Sequence, residues 1–255
     1  MQKLFIKNRK GQKMAMIVEE ARPQKGLAFV MHGLGGFKEQ SHLQVIAEAF
    51  LAHGYTVVRF DTTNSVGESE GDLLHATATT YIEDLEDVIA WAKQQLWYVA
   101  PFVLIGHSLG ALSVAWYAEH HPLEVKAVAP IGTVVTGKLN MERYAPEFLA
   151  QWKTRGYILK ESNSKPGLVS KLGWGFIEDG LRYDLLQKVE TLTMPVLLVV
   201  GDNDEATPLT HQQLLYDALP GPKELHIIQG APHTFRAQEH LDELKKIFDV
   251  WLAQR

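Results

Sequence analysis

The chain has 255 residues, 46% apolar and 22% charged, with a formal net charge of −5. This is the composition of a globular protein, and its acidic balance gives no electrostatic reason to expect nucleic acid or an anionic membrane as partner. Cysteine is absent, which excludes a disulfide framework, a thiol nucleophile and a thiolate metal site. The opening residues Met1-Gln2-Lys3-Leu4-Phe5-Ile6-Lys7 lack the apolar stretch of a signal peptide. No run approaches the ~20 apolar residues of a membrane span. A cytoplasmic protein without integral membrane association is expected.

In chain order, apolar runs bounded by turn residues predict eight strands: 4–7, 14–18, 27–31, 56–60, 102–105, 125–130, 196–200 and 224–228. The turn cluster Asn8-Arg9-Lys10-Gly11 makes the first two an antiparallel hairpin. From the third strand onward, strands alternate with helical patterns. Leu43, Ile46, Ala47 and Phe50 share one helix face, Leu85, Val88, Ala92 and Leu96 a second, and Leu241, Leu244, Phe248 and Trp251 a third. Continuously apolar strands alternating with helices predict an α/β protein with a parallel sheet covered on both faces. Between Pro130 and Met194 the rhythm breaks, in a stretch longer than one crossover helix needs and rich in Tyr, Phe and Trp. That stretch is expected to form a small helical cap.

The chemistry is concentrated in Gly106-His107-Ser108-Leu109-Gly110. A G-x-S-x-G pattern by itself arises by chance in about one chain in ten of this length, so its context carries the reading. The apolar run Phe102–Ile105 precedes it and the helix-forming stretch from Ala111 follows, the strand–elbow–helix setting of a hydrolase nucleophile. A serine hydroxyl needs a base to remove its proton, and the base needs an orienting acid. In this arrangement the order along the chain is Ser, then Asp or Glu, then His. His233 fills the last place, in a Gly/Pro loop after the last strand, where open α/β sheets put their ligand crevice. The loop after the seventh strand offers Asp202, Asp204 and Glu205, and of these Asp204 is preferred, with Asp202 second. The backbone N–H of Leu109, after the nucleophile, and that of Leu34, in the glycine-rich loop His32-Gly33-Leu34-Gly35-Gly36, are the candidate oxyanion donors. His32 is expected to organise that loop. The loop lacks the G-x-G-x-x-G and P-loop patterns of phosphate binding, and no metal-ligand spacing appears, so neither cofactor nor metal is implied.

Taken in order, Val30–Gly36, Asp61 through Gly67-Glu68-Ser69-Glu70-Gly71, Gly106–Gly110, Gly201–Pro208 and Pro232-His233-Thr234-Phe235 resemble the α/β-hydrolase superfamily. The resemblance is to the branch holding feruloyl (cinnamoyl) esterases, monoacylglycerol lipases and serine aminopeptidase-like proteins. It implies a mostly parallel eight-stranded sheet with helices on both faces, a core of residues 1–131 and 191–255, and a cap of 132–190 inserted after the sixth strand. It also implies Ser108 as nucleophile, His233 as base, Asp204 as acid, and Leu34 and Leu109 as oxyanion donors. The expected function is cleavage of a small-molecule carboxylic ester through an acyl-enzyme, with a short-chain or aromatic acyl group suited to an aromatic cap. Monoacylglycerol lipase, thioesterase, lactonase or aminopeptidase chemistry would use the same triad. A catalytically silent ligand-binding protein of this fold is the reading from another class.

Overall fold

The computed structural model describes residues 2–162 and 165–255. The expected core starts at residue 1 and the expected cap spans 163 and 164, and these three lie outside the described residues. In chain order the first elements are β1 (Gln2–Lys7), β2 (Lys13–Glu19), β3 (Gly26–Met31), α1 (Ser41–Ala52), β4 (Tyr55–Phe60), α2 (Ala78–Ala92), β5 (Phe102–His107), α3 (Leu109–His120) and β6 (Val125–Ile131). The segment after β6 carries α4 (Gly137–Glu142), α5 (Pro146–Arg155), β7 (Tyr157–Glu161), β8 (Val169–Gly173) and α6 (Gly175–Gly180). The chain then closes with β9 (Val196–Asn203), α7 (Leu209–Ala218), β10 (Lys223–Pro232) and α8 (Gln238–Ala253).

Eight strands form one sheet in the order β1-β2-β4-β3-β5-β6-β9-β10. The β1–β2 hairpin and the β2–β4 pair are antiparallel. Every pair from β4 across to β10 is parallel. β3, β4 and β5 are buried along their whole length, as expected of strands covered on both faces. Alternation along β3 shows how the covering is shared. Leu27, Phe29 and Met31 enter the core built with α2 and α3, while Ala28 and Val30 enter the one built with α1 and α8. This is the α/β-hydrolase sheet that the ordered motifs imply, and it gathers the loops after β3, β5, β9 and β10 at the carboxyl edge of the parallel strands. No helix among the described residues is long and apolar enough to cross a membrane.

Two expectations need correction. Leu96 does not extend the apolar face of α2, because the helix ends at Ala92 and Leu96 is fully exposed. The chain turns at Gln94 and Gln95, whose N–H groups bond back to the Trp91 and Ala92 carbonyls. Trp97 then packs its ring 5.8 Å from that of Trp91, filling the place the periodicity assigned to leucine. The cap segment, for its part, is not all helix. Gly156, with φ +81°, ends α5 in a left-handed turn, and the Tyr157-Ile158-Leu159 run after it leads a strand that pairs antiparallel with β8, Lys160 opposite Ser170.

The cap's aromatic residues also serve mainly each other. Trp152 is fully buried, with Tyr144, Phe148 and Trp174 around it at centroid distances of 5.7, 6.1 and 5.8 Å. Its indole N–H donates to the Leu172 carbonyl at 3.2 Å, tying α5 to β8.

Candidate active site

β5 runs straight into Ser108, which sits at φ 58° and ψ −116°, well outside the ordinary regions for a residue with a side chain. The strain is held by the surroundings: the Ser108 N–H donates to the Ile131 carbonyl at 2.8 Å, and α3 begins at the next residue. The two elbow glycines are set by close approach. A Cβ on Gly106 would lie 2.3 Å from the Gly110 carbonyl oxygen, and one on Gly110 would lie 2.4 Å from that of His32. Only glycine at both positions lets α3 pack so tightly against β5 and the end of β3.

His233 follows β10, with its Nε2 2.9 Å from Ser108 Oγ and its Nδ1 2.7 Å from Asp204 Oδ2. Asp204 follows β9 and is only 4% exposed. Its Oδ2 also accepts from Thr207 Oγ1 at 2.8 Å, and its Oδ1 accepts from the Ala206 and Thr207 N–H groups, each at 2.8 Å. Burial works to raise the pKa of this carboxyl, but the bond and charge of His233 and the bonds from Thr207 outweigh it and hold it down to about 2. An ionised Asp204 fixes the proton of His233 on Nδ1 and leaves Nε2 as the acceptor facing the serine hydroxyl. The structure therefore separates the three carboxylates of this loop. Asp202 is exposed and accepts from the Gly230 N–H at 2.6 Å, and Glu205 is exposed.

Leu34 and Leu109 line a cavity of about 100 Å³ together with Ser108 and His233. Leu109 is the first residue of α3, where a backbone N–H has no acceptor in a preceding turn and the helix dipole favours negative charge. In the other loop, the Gly35 N–H is engaged by the Tyr81 hydroxyl at 3.3 Å and the Gly36 N–H by the Gly33 carbonyl at 2.9 Å. His32 is fully buried, accepting from the Thr62 N–H at Nε2 (3.0 Å) and donating from Nδ1 to the Gly33 carbonyl (2.8 Å). Burial lowers its pKa, so it stays neutral and keeps that shape.

Several supporting residues escape a reading based on motifs. His107 donates from Nε2 to the His233 carbonyl at 2.8 Å and lies 4.8 Å from its ring. Burial, and then the neighbouring His233, hold its pKa down to about 3, so it acts as a fixed neutral donor. Gln212, fully buried, donates to the Thr133 and Thr207 carbonyls at 2.9 and 3.1 Å and accepts from the Thr133 N–H at 3.0 Å. It clamps the acid loop to the end of β6.

Lys38 is also fully buried. Its ammonium lies 2.9 Å from Asp61, 2.6 Å from Glu68 and 3.0 Å from Glu39. These three carboxylates are the one acidic cluster among the described residues compact enough for a metal, and the ammonium bonds all three. The ion pairs tie the loop after β4 to the loop that carries Leu34, and the Lys38 N–H adds a 2.7 Å bond to Asp61. Sequence offered one signal for this, the Asp61-to-Gly71 motif, which identifies the anion and is silent on its partner.

The segment after β6 adds Val134, Asn140, Arg143, Tyr144, Lys160 and Phe176 to the cavity wall, and the rest of the lining comes from the loops at the carboxyl edge of the sheet. Only two of the cap's aromatic residues, Tyr144 and Phe176, reach it.

Comparison with known proteins agrees with this architecture. Residues 22–239 match the family model described as serine aminopeptidase, S33. An uncharacterized 31.7 kDa protein from the traX-finO intergenic region of Escherichia coli is 27% identical over 249 residues, 85% of this chain and 86% of that protein. The monoacylglycerol lipase of Mycolicibacterium smegmatis is 24% identical, over 80% of this chain and 78% of the lipase. Est1E from Butyrivibrio proteoclasticus, solved with ferulic acid bound, superposes with a TM-score of 0.84 at 20% identity, covering 98% of each chain. With its sheet order, its elbow and a family model spanning most of its length, the chain is a hydrolase of the α/β-hydrolase superfamily and belongs to the serine aminopeptidase S33 family.

Proposed function

We propose that the protein hydrolyses carboxylic esters with a short acyl group, through an acyl-enzyme on Ser108. The observation that carries this reading is the continuous chain from Ser108 Oγ to His233 Nε2 (2.9 Å) and from His233 Nδ1 to Asp204 Oδ2 (2.7 Å), opening on a cavity. Ser108 attacks the ester carbonyl while His233 takes its proton at Nε2, and Asp204 stabilises the imidazolium. The N–H groups of Leu34 and Leu109 hold the oxyanion, a contribution of roughly 3–4 kcal/mol per donor. His233 then returns the proton to the departing alcohol, and water repeats the sequence to release the acid. Residues 132–190 act as the cap that selects the substrate, over a core of 1–131 and 191–255.

The cavity, about 100 Å³, is small beside the roughly 300–1,000 Å³ of sites for larger organic ligands, which favours short acyl groups. A ferulate-sized aromatic acyl group, as bound by Est1E, is less well served, because Tyr144, Phe148 and Trp174 pack against Trp152 and only Tyr144 and Phe176 of the cap's aromatic residues line the cavity. An aminopeptidase would require an anion for the substrate's α-amine. Among the described residues the cavity lining contains no Asp or Glu, and Glu142, Glu147, Glu161, Glu178 and Asp179 all stand outside it. A p-nitrophenyl ester series from acetate to octanoate, run beside aminoacyl p-nitroanilides, tests the assignment. Hydrolysis is expected to peak at short acyl esters and to fall roughly 10⁶-fold in kcat in Ser108→Ala. Equal turnover by that variant would remove Ser108 as nucleophile, and a preference for the anilides would restore the peptidase reading.

A further inference from the structure

The cap side of the Ser108 cavity is cationic, in a protein whose net charge is −5. Arg143, just after α4, and Lys160, on β7, both line it, and they come from cap elements separated by α5. Neither has a hydrogen-bond or ion-pair partner among the described residues. Arg143 has only the Tyr144 ring, 5.1 Å from its Cζ. Nearby acids are committed elsewhere, Glu142 to Lys138 at 3.9 Å and Asp204 to His233 at 2.7 Å. The other titratable groups of the lining are His107, His233 and Tyr144, so no carboxylate of the wall compensates the two cations.

Lys160 is half-buried. Burial, reinforced by the like charge of Arg143, lowers its pKa, as expected of an ammonium held against another cation without a counter-ion. Arg143 is exposed, so the cost of an unpaired charge in the empty protein falls on the half-buried Lys160 held beside it. That cost has a use if the substrate brings the missing charge.

We propose that Arg143 and Lys160 form an anion subsite, and that the preferred substrate is an ester bearing a carboxylate in addition to its scissile bond. This deepens the esterase reading and rests on it. The guanidinium suits a bidentate grip on the carboxylate, and the ammonium adds a second, more mobile donor. Asn140, in the same wall, offers an amide donor beside them. The neutral end of such a substrate lies toward Ser108 and the loops of Leu34 and Leu109, so the anion subsite orients the carbonyl rather than taking part in its chemistry.

Two matched ester pairs test this. Mono-p-nitrophenyl glutarate against p-nitrophenyl valerate places the anion in the acyl part, and 4-carboxyphenyl butyrate against 4-carbamoylphenyl butyrate places it in the alcohol. In at least one pair the wild-type kcat/KM is expected to favour the anionic ester by about 10- to 100-fold, mostly through KM. That ratio should fall about tenfold or more in Lys160→Met and in Arg143→Met, and recover in Lys160→Arg. It should stay within about twofold in Lys153→Met, which changes an exposed cap lysine outside the lining.

A wild type that hydrolyses both members of each pair equally well overturns the anion subsite and leaves the esterase reading standing. Absence of turnover on every ester overturns the esterase reading. In that event, calorimetric binding of glutarate to the wild type, weakened in Lys160→Met, still supports the cationic pair as an anion site, and equal or absent binding refutes it.

Discussion

Asparagine substitution in the loop after β9 separates the two candidate acids, and the structure sets the size of each effect. In Asp204→Asn the amide has two orientations. Its nitrogen at the Oδ1 place would face the N–H groups of Ala206 and Thr207, both fixed backbone donors 2.8 Å away. It is therefore driven to the Oδ2 place, 2.7 Å from His233 Nδ1, while the Thr207 hydroxyl, 2.8 Å away, turns to accept instead. Facing a donor, Nδ1 must become the acceptor, so the imidazole proton moves to Nε2 and points at Ser108. The base then cannot take the serine proton. The wrong tautomer and the loss of an anion beside the imidazolium are together expected to lower kcat by about 10³–10⁴, or roughly 4–5.5 kcal/mol, with little change in KM.

Asp202→Asn is expected to keep an oxygen for the Gly230 N–H, and activity should stay within about twofold. The assay is steady-state hydrolysis of p-nitrophenyl butyrate at neutral pH, with circular dichroism to show that both variants are folded. A large loss in Asp202→Asn beside a small one in Asp204→Asn would make Asp202 the acid instead.

Three further substitutions probe the stability of the fold. Glu119 is buried with neither carboxyl oxygen hydrogen-bonded among the described residues, and burial, aided by Glu190, pushes its pKa up to about 8. A carboxyl raised in the folded state contributes no penalty below its ordinary pKa and destabilises progressively as pH rises through about 8. Urea unfolding at pH 5, 7 and 9 should therefore show a decline in wild type, a few kcal/mol overall, that Glu119→Met largely removes. Parallel pH profiles for the two proteins would contradict this. Lys38→Met leaves Asp61 charged and buried, and should cost about 3–5 kcal/mol in urea denaturation, part of it recovered by adding Asp61→Asn. Gly110→Ala drives a methyl to 2.4 Å from a backbone oxygen, so a loss of about 3 kcal/mol or more in stability, read by thermal unfolding, is expected.

The sheet was readable because its strands are buried on both faces and so form unbroken apolar runs, such as Leu27–Met31 and Val196–Val200. The elbow was readable for a different reason: close backbone contact at Gly106 and Gly110 restricts both positions to one residue type. Residues joined only by the fold left no such trace. Lys38 and Asp61 are far enough apart in sequence that no spacing links them, and Gln212 reads as an ordinary polar residue of α7 until Thr133 is seen opposite it. In the cap, length and aromatic content pointed to a folded segment, and its described residues form helices and a hairpin. Neither showed that the rings pack on Trp152, or that the hairpin carries Lys160 to the cavity wall. The composition of the cavity wall is set by that tertiary placement, which local periodicity does not encode.

In the proposed mechanism Ser108 is the nucleophile and His233 activates it. Treatment of the intact protein with a fluorophosphonate, followed by peptide mass spectrometry, tests this most directly. A single covalent adduct on Ser108, lost in Ser108→Ala and slowed by orders of magnitude in His233→Ala, is the expected result. An adduct on another residue, or undiminished labelling of the Ser108→Ala variant, would contradict it.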